Sequence, residues 1–192
     1  MAVNQLIKTN IIEKYFERII SKELFWILTF TVLTAFAAQV SIPVQPVPFT
    51  LQTMLVVLAG AFLGARNGAI SQIIYLVLGI IGVPVFANLS FGLAKLFGPT
   101  GGYLLSFPFA AYLTGYLIEK NRNLLTIVVA ILVSNILILF FGALYLSTFY
   151  NGDFKYAFFA GAFIFSFWDI IKLCAAVSIY YSFSNKYPKL PK

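Results

Sequence analysis

The sequence predicts an all-α integral membrane protein, a bundle of six transmembrane helices with both termini in the cytoplasm. Three observations predict it. Of 192 residues, 61% are hydrophobic and 10% charged, against roughly half apolar and a quarter charged in soluble domains. The charges bound long uncharged runs at 24–65, 67–94, 96–118 and 123–152, and the run 156–185 is interrupted only by Asp169 and Lys172. A span needs about 20 apolar residues, so these runs hold about six. The bases are also lopsided. With six spans, the N-terminal segment, Arg66, Lys120, Arg122 and Lys186, Lys189 and Lys192 share one side with ten bases, against Lys95 and Lys155 on the other. Lys and Arg collect on the cytoplasmic side, which sets the orientation.

This composition argues against a soluble enzyme and a nucleic-acid binder, since six acids and thirteen bases cannot cover a globular surface. There is no histidine and a single cysteine, Cys174. Histidine-based acid–base chemistry, Cys-rich metal sites and intrachain disulfides are therefore excluded. No catalytic residues and no metal ligands are expected.

Residues 1–23 place Leu6, Ile7, Ile11, Ile12, Tyr15, Phe16, Ile19 and Ile20 at helical spacing among bases and acids. This reads as an amphipathic segment on the cytoplasmic membrane surface, with a plain charged tail as the alternative. Its acids, and the lack of a small-residue cleavage site, set it apart from a signal peptide. The membrane domain follows at 24–183, then a basic cytoplasmic tail at 184–192. Pro43, Pro46 and Pro48 divide the first run, because proline lacks the amide donor and disfavours helix in the residue before it. The spans expected are 24–41, 49–64, 67–82, a helix from Pro99-Thr100 to Ile118, 124–146, and 156–183. The second and third are short for a full crossing, so tilt or local thinning is implied. The connection 83–98 is longer than usual and reads as a functional loop.

Asp169 and Lys172 are the most informative residues. Each charge at mid-bilayer costs about 2.5–3.5 kcal/mol. Spaced i,i+3, they share a helix face and can pair. A ligand or ion pathway is favoured over a pair that only fixes packing, because buried pairs rarely stabilise more than apolar replacements. Asn88, in the outer loop, offers a donor and an acceptor together, or forms a local turn. Gly98-Pro99-Thr100-Gly101-Gly102-Tyr103 offers a helix N-terminus for an anion, with Thr100 as a cap, or else a tight turn with close packing. On the first span, Thr31/Ala35 and Thr34/Ala38 are small residues four apart, which admits another helix closely, from this chain or from a partner. The chain has no phosphate-binding loop of the G-x-x-x-x-G-K-[ST] kind, so it is not itself an ATPase.

Several pieces in fixed order resemble the BioY family, the biotin-binding S components of energy-coupling-factor (ECF) vitamin importers. They are Val47-Pro48-Phe49-Thr50-Leu51-Gln52-Thr53, Gly64-Ala65-Arg66-Asn67-Gly68-Ala69, Tyr75-Leu76 through Gly79 and Gly82 to Pro84-Val85-Phe86-Ala87, Gly98-Pro99-Thr100-Gly101-Gly102-Tyr103-Leu104, and Asp169-x-x-Lys172. The resemblance covers nearly all of the chain after the N-terminal segment. It implies an S-component-like six-helix fold in a prokaryotic cytoplasmic membrane and high-affinity capture of biotin from outside. Uptake would be coupled to two ATPase subunits and a membrane scaffold, which use ATP; this chain would need no cofactor. It implies that Asn88 and Asp169 meet the ureido ring. Lys172 would neutralise the carboxylate or else support Asp169. Phe86, Tyr103 and Trp168 would form apolar walls. Thr31, Thr34, Ala35 and Ala38 would form the docking strip for the coupling module, with threonine where the family has one alanine of each pair. An S component for another vitamin, or a membrane protein without a transport role, are the alternatives.

Overall fold

The structure is a computed structural model that describes residues 23–163 and 166–184. The segment 1–23 and the tail 184–192 lie outside these residues, save Glu23 and Ser184. Among the described residues are seven α-helices, a two-stranded ribbon and two 3-10 turns. Helix α1 spans Glu23–Gln39. It stops two residues short of the expected end because Ser41–Ile42 (β1) pairs antiparallel with Phe49–Thr50 (β2), Ser41 opposite Thr50. The three prolines fill the tip between these strands, where no ladder donor is required.

Helix α2, Gln52–Ile80, is interrupted at Gly64, whose φ of 80° and ψ of 177° are not helical. A straight helix would hold Gly60 and Gly68 about 12 Å apart. Here a Cβ on Gly68 would fall against the backbone of Gly60 and Ala59, and Gln52 Nε2 at one end donates to Tyr75 Oη near the other at 2.5 Å. The chain therefore folds back at Gly64 into a helical hairpin, the second and third expected spans. Glycine suits the reversal because a positive φ burdens any other residue. Across the turn, Glu119 Oε1 accepts the Ala65 N–H at 2.8 Å, which satisfies an amide at the start of the second half. By length and composition, Gln52–Ile80 and Leu124–Tyr150 are long and apolar enough to cross a membrane. The first of these is two short, antiparallel halves.

After the hairpin, the long connection holds a 3-10 turn, Ala87–Leu89, and the one-turn helix α3, Leu93–Leu96. Helix α4 spans Gly101–Lys120. Helix α5 spans Leu124–Ser147 and is capped by Asn123, whose Oδ1 accepts the Thr126 N–H at 2.7 Å. The final expected span, 156–183, is corrected to two helices, α6 at Phe154–Gly161 and α7 at Ser166–Ser184. Ala162 leaves helical geometry with φ −131° and ψ −55°. The Tyr103 hydroxyl takes up the terminal Gly161 carbonyl at 2.8 Å, so the end of α6 is satisfied from α4.

The small-residue strip of α1 faces inward. Thr31, Thr34 and Ala38 are buried and Ala35 is half-buried. Thr31 Oγ1 donates to Ser71 O at 2.9 Å, and Thr34 Oγ1 accepts from Gln72 Nε2 at 3.3 Å. These residues seat α1 on the second half of α2. Within this chain the close partner of the strip formed by Thr31, Thr34, Ala35 and Ala38 is the second half of α2, bonded through the two threonines. The outward face of α1 carries Leu28, Val32 and Phe36 instead.

Candidate functional site

The start of α7 places Asp169 and Lys172 one turn apart, both over nine-tenths buried. Lys172 Nζ lies 2.5 Å from Asp169 Oδ1. It also donates to Thr53 Oγ1 at 2.7 Å and to Thr50 O at 3.3 Å, and sits 4.6 Å from the centre of the Phe49 ring. An ammonium has three N–H donors, and all three are engaged. Lys172 thus ties α7 to the ribbon and the start of α2 while holding one oxygen of Asp169. The second oxygen, Oδ2, is buried and has no hydrogen-bond partner among the described residues. Leaving a buried carboxylate oxygen unbonded is costly, which marks it as an acceptor awaiting a donor.

Asp169 and Lys172 line a cavity with Phe86 and Tyr103, four of the six residues expected at a binding site. Its apolar walls include Val47, Pro48, Phe49, Ala87, Leu104, Phe107 and Leu139, and its polar groups include Gln52, Thr53, Lys95 and Thr100. Phe86 is fully buried, edge-on to Tyr75 at 5.6 Å, and its ring covers Gly79, where a Cβ would overlap it. Tyr103 lies in the same way over Gly142. Glycines thus make room for both aromatic walls.

The other two expected residues lie outside the lining. Trp168 is half exposed and stacks at a tilt on Phe49, 5.8 Å away, so it backs a wall residue from outside. Asn88 is exposed in the turn Ala87–Leu89, and its Oδ1 accepts from Ser41 Oγ at 3.1 Å. Thr100 does not cap α4, since no side-chain cap bond forms there. Its hydroxyl is instead buried and unpartnered among the described residues, at the cavity. Gly101 and Gly102 serve close packing: a Cβ on either would meet Leu96 O or the Phe141–Tyr145 turn.

The model of one protein family, described as the BioY family, matches residues 8–189. The chain belongs to the BioY family. It is similar to a probable biotin transporter BioY of Pyrococcus horikoshii, 41% identical over 83% of this chain and 94% of that one. A biotin transporter BioY of Thermotoga maritima is 39% identical over 78% and 88%. The fold matches a crystal structure, at 2.1 Å, of the S-component for biotin from an ECF-type ABC transporter. That match has a TM-score of 0.80 and 28% identity over 85% of this chain and 90% of that one.

In this BioY-family chain, sequence reasoning missed Gln52, Thr53, Lys95 and Thr100 as wall residues. Gln52 and Thr53 stood inside a quoted family motif, but nothing in their spacing shows that Lys172 reaches Thr53. Lys95 counted only as one of two outer bases, yet it is a cationic group on the cavity wall.

Proposed function

We propose that this chain captures biotin from outside the cell and serves as the substrate-specific subunit of an ECF-type importer in a prokaryotic cytoplasmic membrane. It is a transport subunit and not an enzyme, with ATP hydrolysis left to two ATPase subunits working through a membrane scaffold. The observation that carries the reading is the unpartnered Oδ2 of Asp169 on an apolar-walled cavity, a match for a small, largely apolar molecule with an N–H to donate. In this reading the ureido N–H bonds Asp169 Oδ2. Phe86, Tyr103, Leu104 and Phe107 enclose the rings and tail. Lys172, with its donors engaged, fixes the other oxygen of Asp169. The carboxylate, about 10 Å or two helical turns from the ureido group, meets Lys95. Asn88 joins from the loop beside Phe86 and Ala87 once its bond to Ser41 is exchanged. Trp168 acts through Phe49.

Purified protein is expected to bind biotin stoichiometrically with neither metal nor nucleotide present. Calorimetry against a panel of vitamins checks this: no heat with biotin, or binding only with added metal, would refute it. Preference for another vitamin would move the chain to a different S-component specificity.

Six crossings with both termini cytoplasmic complete the reading, supported by the Gly64 hairpin and the ten-to-two distribution of bases. With Cys174 replaced, Ser90→Cys is expected to react with a membrane-impermeant maleimide on intact cells, and Ser184→Cys to be spared. The opposite labelling pattern would overturn the orientation.

A further inference from the structure

The connection after α2 has an unfavourable backbone conformation at its tip, and one side chain that does not line the cavity bonds it at several points. Asn88 and Leu89 are both left-handed, with φ of 59° and 52°, and glycines at positive φ flank them, Gly82 at 105° and Gly92 at 89°. An asparagine tolerates this region; for leucine it is an outlier. Leu89 is also largely exposed, so no burial of its side chain compensates. The segment closes on itself through the Phe86 N–H on Ser90 O at 3.0 Å and Ser90 Oγ on Ala87 O at 2.7 Å, and from α1 its tip is held by Gln39, the last residue of that helix. Its Oε1 accepts the Leu89 N–H at 3.0 Å, and its Nε2 lies 3.1 Å from Phe86 O, 3.5 Å from Val85 O and 3.3 Å from Ala35 O. Two residues on, Ser41 Oγ bonds Asn88 Oδ1. The two ends of the 85–92 segment carry further bonds, from Tyr75 Oη to Val85 O at 3.1 Å and from the Gly92 N–H to Gly79 O at 2.7 Å.

Gln39 stands at the root of both segments that bound the cavity on this side. Immediately after it, the chain enters β1, whose partner β2 carries Phe49 and Thr50 to the wall; across from it, the 85–89 segment carries Phe86 and Ala87. Strained backbone held by replaceable hydrogen bonds marks a segment with a second conformation close in energy. We propose that Gln39 is a positioning residue, a latch that holds the 85–92 segment closed against the cavity and sets how fast ligand exchanges. It touches no ligand. Releasing its bonds lets Asn88 and Leu89 return to ordinary backbone geometry, which lifts Phe86 and Ala87 away from the wall.

The experiment compares wild type with Gln39→Met, which keeps the shape of the side chain and removes both hydrogen-bonding functions. Hydrogen exchange of the ligand-free protein in detergent should be at least tenfold faster in peptides covering 85–92 and unchanged in α4 and α5. Association and dissociation rates for biotin should both rise at least threefold, with a smaller change in the dissociation constant. Unchanged exchange at 85–92 would overturn the latch, as would faster exchange throughout the chain, which marks a general structural role. Faster loop exchange with unaltered biotin rates would overturn its control of access. If Gln39→Met does not fold, Gln39→Glu carries the same test, since it keeps an acceptor for the Leu89 N–H but offers no donor to Val85 and Phe86. The kinetic arm rests on the biotin reading and the exchange arm does not. A wild-type protein that binds no biotin would refute that reading alone.

Discussion

Asp169→Asn raises the dissociation constant for biotin at least tenfold, about 1.4 kcal/mol, and lowers the thermal stability of the ligand-free protein. Two effects combine. The amide presents one acceptor where the carboxylate presents two charged oxygens, so the bond from a ligand N–H is weakened. The Lys172 ammonium, buried and held 2.5 Å from the carboxylate in the native protein, also loses its counter-charge. Breaking a buried pair by removing one partner costs about 3–5 kcal/mol. A double variant separates the two effects. Asp169→Leu with Lys172→Met removes both charges and should recover much of the stability, since apolar replacement of a buried pair is often neutral or better, while biotin binding stays lost. Calorimetry and thermal unfolding in one detergent read both quantities. A folded Asp169→Asn protein with native affinity would reduce the pair to a packing device.

Ala38→Trp should abolish folding and biotin binding together. Ala38 has no exposed surface, and its helix is fixed to the second half of α2 through Thr31 and Thr34. Overpacking usually costs about 1–3 kcal/mol, but an indole here displaces a whole helix instead of a flexible side chain. Phe36→Trp, on the outward face of α1, is the control and should fold and bind normally. Detergent-stable yield and biotin binding are the measurements. If Ala38→Trp instead binds biotin within threefold of wild type and loses only transport with the coupling module, the small-residue strip is a docking face after all.

The helices were legible in the sequence wherever charge or proline interrupts an apolar run. Arg66 marked the boundary between the second and third spans, although the reversal itself is made by Gly64, two residues earlier. The break between α6 and α7 carries neither charge nor proline. The end of α6 before it is satisfied by the Tyr103 hydroxyl on Gly161 O, a contact across 58 residues that no local pattern encodes. Asp169 and Lys172 stood out because a charge in an apolar run is expensive. The direction of Lys172 was not readable, since Thr50 and Thr53 lie far away in the chain. Small residues four apart on α1 announced a close approach; which helix of this chain approaches is seen only in the bonds to Ser71 and Gln72.

The glycines that bring helices together here differ in what a second mutation could repair. At Gly142 and Gly79 the obstacle to a larger residue is an aromatic ring, Tyr103 or Phe86, and a ring can be exchanged for a smaller side chain elsewhere in the sequence. At Gly60, Gly68 and Gly115 the obstacle is main chain: Ala111 O, the Gly60 backbone, and the Gly64–Ala65 peptide. No substitution makes a peptide group smaller. A lineage that loses one of those three glycines has no local suppressor and must shift an entire helix or revert, whereas one that alters Gly142 can drift together with Tyr103 and reshape the ligand wall as it does so. Evolutionary freedom among these glycines therefore lies at Gly79 and Gly142, and the crossing at the Gly64 hairpin, like Gly101 against Leu96 O, is where the history of the protein is locked.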